Sequence, residues 1–251
     1  MGASTIFFLL WAFLSTLGGG ADPLALCLQD DDFDLAIQEC TRILEQPGHT
    51  PDNVTSAFLS RGFAHSYRSD IDRANADFDR AIAGIDVKIQ SNSLSADAFF
   101  MRARARMGRK HFPEAIADYG EAIRLDPQGL EAINMRCWAR ALWGAEFDLA
   151  RADCDTAIKL SNSRADYLDS RGLLGLKQGK FAEAWADYDA AQAKVDPNSF
   201  YFRSDTAHYL YGRGIAALRM GRTAEGNADL QEALRLKANI GGMFASYGIA
   251  P

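Results

Sequence analysis

The chain has 251 residues, of which 48% are hydrophobic and 24% are charged, so it can bury a sizeable core. Its 7 prolines and its apolar content exclude a disordered composition. The net charge of −6 argues against a general binder of nucleic-acid phosphates, because such proteins carry a basic excess. We therefore expect no nucleic-acid partner.

Residues 1–21 differ from the rest of the chain and predict a signal peptide. The segment Ile6–Leu17 (IFFLLWAFLSTL) is strongly apolar but shorter than the ~20 residues that a membrane-spanning helix needs. The small residues of GGGAD follow it and predict cleavage after Ala21. No lysine or arginine precedes the apolar segment, so an uncleaved anchor or a misassigned start are the alternatives. We expect a periplasmic or secreted protein with no stable membrane span after cleavage.

The rest of the chain is built from a repeat, best seen in residues 112–127 (FPEAIADYGEAIRLDP). The other copies begin at Phe33, Ile71, Phe147, Phe181 and Thr223. The six copies thus start 34 to 42 residues apart, and a second amphipathic segment precedes most of them. This arrangement predicts a unit of helix, tight turn and helix.

Alanines occupy two positions, seven residues apart, in the second helix of most units. These pairs are Ala74 and Ala81, Ala115 and Ala122, Ala150 and Ala157, and Ala184 and Ala191. Seven residues are about two helical turns, so both alanines share one face and let a neighbouring helix approach closely. An aromatic residue between them fills the next gap, as Phe78, Tyr119 and Tyr188 do.

This pattern resembles the tetratricopeptide repeat. The first helices carry the matching small residue at Gly62, Ala103, Gly172 and Gly214, and Pro127 closes a unit. The resemblance implies an all-α, right-handed solenoid of about five to six hairpins, with a concave face made mainly by the first helices. We expect a signal peptide at 1–21, a degenerate hairpin at 22–50, repeats two to six at 51–237 and a C-terminal cap at 238–251. Met243, Phe244 and Tyr247 would cover the last repeat.

Most first helices also carry an arginine, and most second helices an aspartate. The pairs are Arg61 and Asp77, Arg102 and Asp118, Arg136 and Asp153, Arg171 and Asp187, and Arg213 and Asp229. Residues equidistant from a hairpin turn face each other, so we predict one Arg–Asp pair in each hairpin. A ladder of arginines for acidic ligands is the alternative, but an aspartate accompanies each arginine, which favours the structural role.

The four cysteines form two local couples. Cys137 and Cys154 have their midpoint in a predicted turn and lie level on facing helices, which suits a disulfide. Cys27 and Cys40 can bridge only if the first segment is irregular, and Pro23 makes that plausible. An even cysteine count in an exported chain favours two bridges over four buried thiols. The segment RCWARA also resembles a repeat variant of exported bacterial, alphaproteobacterial-type members of the family.

No catalytic site is visible in the sequence. The 4 histidines lack metal-ligand spacing, no phosphate-binding loop follows the leader, and the bridged cysteines could not act as nucleophiles. We therefore predict no enzyme, no cofactor and no metal.

The predicted function is a protein-interaction scaffold or adaptor of the bacterial cell envelope that binds a peptide or protein in the concave groove. Carrying over the groove positions of the family gives Leu59, Phe63, Tyr67, Phe100, Arg104, Met107, Asn134, Trp138, Leu173, Lys177, Tyr211 and Ile215. Trp138 and Tyr211 are the expected main contacts, because aromatic anchors dominate interfaces. The alternatives are a self-associating assembly component and a module for peptidoglycan or other carbohydrate. We expect a monomer.

Overall fold

A computed structural model describes residues 23–28, 32–91, 95–199 and 201–251, and in these ranges it contains thirteen helices and no strand. The predicted signal peptide, residues 1–21, lies outside the described residues. The chain divides into two compact units, residues 1–84 and 85–251, which we describe separately. The predicted all-α fold of successive helical hairpins is confirmed.

The first unit contains a short hairpin and most of a second one. Its helices are α1 (Pro23–Cys27), α2 (Phe33–Glu45), α3 (Pro51–Tyr67) and α4 (Ile71–Gln90), the last of which continues past the unit boundary. The Asp32 side chain caps α2 by accepting hydrogen bonds from the amides of Asp34 and Leu35. Thr50 caps α3 in the same way, and Pro51 holds the first helical position.

The second unit contains four hairpins and a short terminal helix. Its helices are α5 (Ala96–Gly108), α6 (Phe112–Leu125), α7 (Leu130–Trp143), α8 (Phe147–Leu160), α9 (Ala165–Gln178), α10 (Phe181–Gln192), α11 (Phe202–Arg219), α12 (Thr223–Leu236) and α13 (Ile240–Ser246). Helices α7 and α9 each end at a glycine with positive φ, Gly144 at 76° and Gly179 at 72°, which lets the chain reverse into the second helix of the hairpin.

Small residues bring neighbouring hairpins together, as the sequence predicts. The Tyr188 side chain is fully buried between Gly172 of its own hairpin and Gly212 of the next one. A Cβ atom on Gly172 would lie 2.9 Å from the Tyr188 ring, so only glycine allows this approach. The paired alanines of the second helices are likewise buried, and one core joins the hairpins from α7 to α12.

All five predicted Arg–Asp pairs form, and each is bidentate. Arg171, for example, donates from Nε and Nη2 to the two carboxylate oxygens of Asp187 at 2.9 and 2.7 Å. The aspartates of the five pairs are Asp77, Asp118, Asp153, Asp187 and Asp229, and none is more than 8% exposed. The arginines therefore act in the structure as partners of buried carboxylates.

Four of these arginines also bind the hairpin that precedes their own. The Nη1 atoms of Arg102, Arg171 and Arg213 donate to Asp86, Asp155 and Asp189 at 2.6, 2.8 and 2.6 Å, and that of Arg61 to Thr41 at 2.9 Å. We call each such set of contacts an arginine bridge. Hydrogen bonding, above all to Asp118, Asp187 and Asp229, raises the pKa of Arg102, Arg171 and Arg213. The sequence predicted the pair within each hairpin but not the link between hairpins.

Both predicted disulfides are present. Cys137 on α7 and Cys154 on α8 have Cα atoms 5.4 Å apart, and the bridge ties the two helices of one hairpin together. Cys27 and Cys40 have Cα atoms 4.7 Å apart. The required irregularity is visible, because α1 is only five residues long and Cys27 is its last residue.

Within the described residues, no helix combines the length and the apolar character needed to cross a membrane.

Gly120 interrupts the series of arginine bridges and offers a test of them. It holds the position, two residues after the buried aspartate, at which α8 and α10 carry Asp155 and Asp189. A Cβ atom there would lie 3.7 Å from Arg136 Nη1, so an aspartate could bind Arg136. We expect Gly120→Asp to have a free energy of unfolding about 0.5–1 kcal/mol above that of Gly120→Asn in urea denaturation. Equal stability of the two variants would show that the link between hairpins contributes nothing.

Candidate functional site

We call the side of the second unit formed by its first helices, α5, α7, α9 and α11, the first-helix face. Helices α7, α9 and α11 pack side by side in this order. Trp138 of α7 and His208 of α11 nevertheless approach each other across α9, with ring centroids 6.5 Å apart. Side chains of non-adjacent helices meet in this way only on the inner side of a curved layer, so this part of the first-helix face is concave.

In the first unit, the three predicted groove residues differ in accessibility. Leu59 is only 2% exposed and belongs to the core. Phe63 is partly buried and contacts Phe78 edge-on at 5.0 Å. Tyr67 is 48% exposed and stacks on Phe33 with ring centroids 4.6 Å apart.

In the second unit, five predicted groove residues are partly exposed. Phe100, Arg104 and Met107 lie on α5, where Phe100 and Met107 are two helical turns apart and share one side of the helix. Trp138 on α7 and Lys177 on α9 contact the C-terminal part of the chain.

Four other predicted groove residues are buried: in this structure Asn134, Leu173 and Ile215, like Leu59, are not accessible, and Tyr211 is covered by the C-terminal segment. Asn134, Leu173, Tyr211 and Ile215 are 5%, 0%, 5% and 2% exposed. Leu173 and Ile215 fill the core between hairpins. The apolar residues that form this core recur along each helix with the same period as the predicted groove residues. Tyr211 is covered by Phe244, with ring centroids 4.9 Å apart, and desolvation raises the pKa of its hydroxyl.

The C-terminal segment, residues 240–250, lies on the first-helix face. Helix α13 packs against α11 and α12, where Ile240 and Phe244 are fully buried. The predicted cover of the last hairpin is therefore observed for Phe244. The chain then continues to two earlier hairpins, and the Tyr247 ring contacts Trp138 edge-on at 5.5 Å.

Two cationic side chains of the face hold the backbone of the C-terminal segment. Lys177 Nζ donates to the carbonyl of Tyr247 at 2.7 Å, and Arg219 donates to the carbonyl of Ala250 at 3.2 Å. Partial burial of Lys177 lowers the pKa of its ammonium group. Both contacts are made to main-chain atoms and hence do not depend on the side chains of the bound segment.

His208 is the site residue that sequence reasoning missed. Its ring lies 4.9 Å from that of Phe244 and 6.4 Å from that of Tyr247, so it forms part of the surface on which the C-terminal segment packs. Its Nε2 atom is 3.2 Å from an Asp169 oxygen on α9. The only signal in the sequence is that His208 lies two helical turns before Ile215, a predicted groove residue.

Within the described parts of the chain, no group of three or more histidine, cysteine, aspartate or glutamate side chains is placed to hold a metal ion.

Comparisons with known proteins bear on the family and the fold. Residues 96–128 match the family model described as tetratricopeptide repeat. No curated protein matches the sequence. Among solved structures, a chain of the APC/C hetero-tetramer Cut9–Hcn1 has a TM-score of 0.57 at 14% identity, covering 89% of this chain and 46% of that chain. BtubC from P. vanneervenii has a TM-score of 0.53 at 13% identity, covering 87% of this chain and 91% of that chain.

Identities this low show a shared fold alone. The chain also spans less than half the length of the Cut9–Hcn1 chain that it matches.

The Lys177 hydrogen bond gives the site a direct test. Lys177→Met keeps the apolar stem and removes the donor to Tyr247. We expect amide hydrogen exchange of residues 247–250 to become about tenfold faster, because losing a charged hydrogen bond costs on the order of 1.5 kcal/mol. Lys180→Met is the matched control, since Lys180 is exposed. Unchanged exchange in Lys177→Met would show that other contacts alone hold the segment.

Proposed function

We propose that this chain, in which residues 96–128 match the tetratricopeptide repeat, is a non-catalytic scaffold of the bacterial cell envelope that binds a peptide or protein on its first-helix face. The repeat fold itself supports a protein-interaction scaffold, since stacked hairpins present a long surface of adjustable side chains. The envelope location, the non-catalytic role and the use of this particular face are the parts that we propose.

The observation that carries the proposal is the way the first-helix face holds a polypeptide segment. Trp138 and His208 supply ring contacts, while Lys177 and Arg219 bind main-chain carbonyls. Aromatic anchors combined with backbone hydrogen bonds are the usual means by which a groove recognises a peptide. The face therefore has the chemistry of a peptide receptor.

Helix α5 supplies a further part of the face to which a partner can bind. Phe100 and Met107 are partly exposed there, and Phe100 borders a cavity of about 150 Å³ between α5 and the start of α7. Asp97, Asp126 and Glu131 also line this cavity, which gives it an acidic rim. An apolar floor with charged groups at the edge suits a partner segment that carries an apolar anchor.

Export to the envelope is supported by the two disulfides. Cys27, Cys40, Cys137 and Cys154 are all bridged and fully buried. Structural disulfides persist in oxidising compartments such as the periplasm and are rare in the cytosol. The predicted signal peptide of residues 1–21 agrees with the same location.

Site-specific photocrosslinking in the periplasm tests the proposal. A photoreactive phenylalanine is placed at Phe100 or at Met107 on the first-helix face, and at Leu149 on α8 as the control. Leu149 is 53% exposed and lies on a second helix. We expect the same protein to be captured from Phe100 and Met107, identified by mass spectrometry, and not from Leu149. Equal capture from all three positions would contradict binding on this face.

A further inference from the structure

The C-terminal segment makes more contacts than a terminal cap requires. A cap has to cover only the last hairpin, α11 and α12, and Ile240 and Phe244 already do this. The following residues nevertheless extend to α9 through the Lys177 hydrogen bond and to α7 through Trp138. Tyr247 thus contacts the first helices of the two hairpins that precede the one that needed cover.

These contacts define a pattern of anchors in the bound segment. Phe244 packs between the rings of Tyr211 and His208, both at 4.9 Å, and the Tyr247 ring meets Trp138. Gly248, with φ of 73°, then turns the chain. Ile249, only 8% exposed, follows the turn. The pattern is therefore aromatic, two residues, aromatic, glycine and aliphatic.

The hold on the second half of the segment is incomplete. Ile249 borders a cavity of about 380 Å³ whose walls include Leu176 and Lys177 of α9 and Phe147 and Phe181 at the starts of α8 and α10, so the segment leaves space beside it unfilled. Gly248 and Ala250 are exposed on either side of it. Residues 248–250 therefore open at a lower free-energy cost than the fully buried Phe244, and an external segment can begin displacement from that end.

We propose that residues 244–250 are a resident, displaceable ligand of the first-helix face, and that the external ligand is a partner segment with the same anchors: two aromatic residues three positions apart, then glycine and an aliphatic residue. This inference rests on the proposed binding role of the face and names the ligand class. A partner segment that makes these contacts and also fills part of the cavity beside Ile249 displaces the chain's own segment.

Tethering explains how the face stays closed until such a partner arrives. A covalently attached segment acts at an effective concentration on the order of millimolar, which masks the site from weak ligands. The apparent dissociation constant of an external peptide equals its intrinsic value divided by the open fraction. A change that opens the tethered segment therefore tightens external binding without altering the face.

The test uses the full chain and a fluorescein-labelled synthetic peptide of residues 239–251, NIGGMFASYGIAP. Fluorescence anisotropy is measured with the wild-type chain and with the Tyr247→Ala/Ile249→Ala variant, whose tethered segment lacks two anchors. We expect the variant to bind the peptide at least tenfold more tightly than the wild-type chain does. A peptide carrying Tyr247→Ala should bind the variant about tenfold more weakly. Ser246→Ala in the chain is the control, because Ser246 is exposed.

Circular dichroism and a single melting transition confirm that the variant is folded. If the double variant does not fold, Tyr247→Ala alone replaces it, since that ring is partly exposed. A folded variant that binds the peptide no more tightly than the wild-type chain overturns the proposal. The proposal is also overturned if the wild-type chain forms concentration-dependent dimers and the variant does not. Such dimers would mean that a second copy of the chain binds the first-helix face. Crosslinking from Phe100 is unaffected by either result, so the proposed function is judged separately.

Discussion

The guanidinium group of the recurring arginine is the interaction on which the rest of the structure depends. A single helical hairpin cannot bury its own apolar face, so each one needs a neighbour in a fixed position. Arg102, Arg171 and Arg213 fix this position. Each donates from Nε and Nη2 to two carboxylate oxygens of its own hairpin, and from Nη1 to one carboxylate oxygen of the preceding hairpin. The planar fork of arginine suits this geometry, and lysine could not reproduce it. The partner aspartates are buried, so loss of one arginine leaves a carboxylate uncompensated.

The surface that holds the C-terminal segment follows from this register. Because α7, α9 and α11 lie side by side, Trp138, Lys177 and His208 come from three different hairpins and still face the same polypeptide segment. None of these residues is near another in sequence. A shift of one hairpin would separate the ring contact from the backbone hydrogen bond, so the stacking of the hairpins and the hold on the C-terminal segment share the same packing constraint.

The sequence allowed the local pairings to be predicted and left the long-range ones open. Arg171 and Asp187, or Cys137 and Cys154, are equidistant from one turn, and hairpin geometry then brings them together. The groove residues were harder to predict, because positions such as Leu173 and Ile215 recur with the same helical period whether they face a partner or the next hairpin. The sequence predicted that the C-terminal segment covers the last hairpin but not that it continues to the earlier ones. Its contacts join Tyr247 to Trp138 and Lys177, far apart in the chain, and no local pattern encodes them.

The most direct test of the coupling between hairpins is native-state hydrogen exchange of Arg171→Lys, with Arg164→Lys as control because Arg164 is exposed and pairs locally with Asp166. Lysine keeps the charge but cannot bind Asp187 and Asp155 together. If arginine bridges hold neighbours in register, amides of both hairpins, α7–α8 and α9–α10, should exchange faster in Arg171→Lys and not in the control. Faster exchange confined to α9–α10, or no change in either hairpin, would contradict this account.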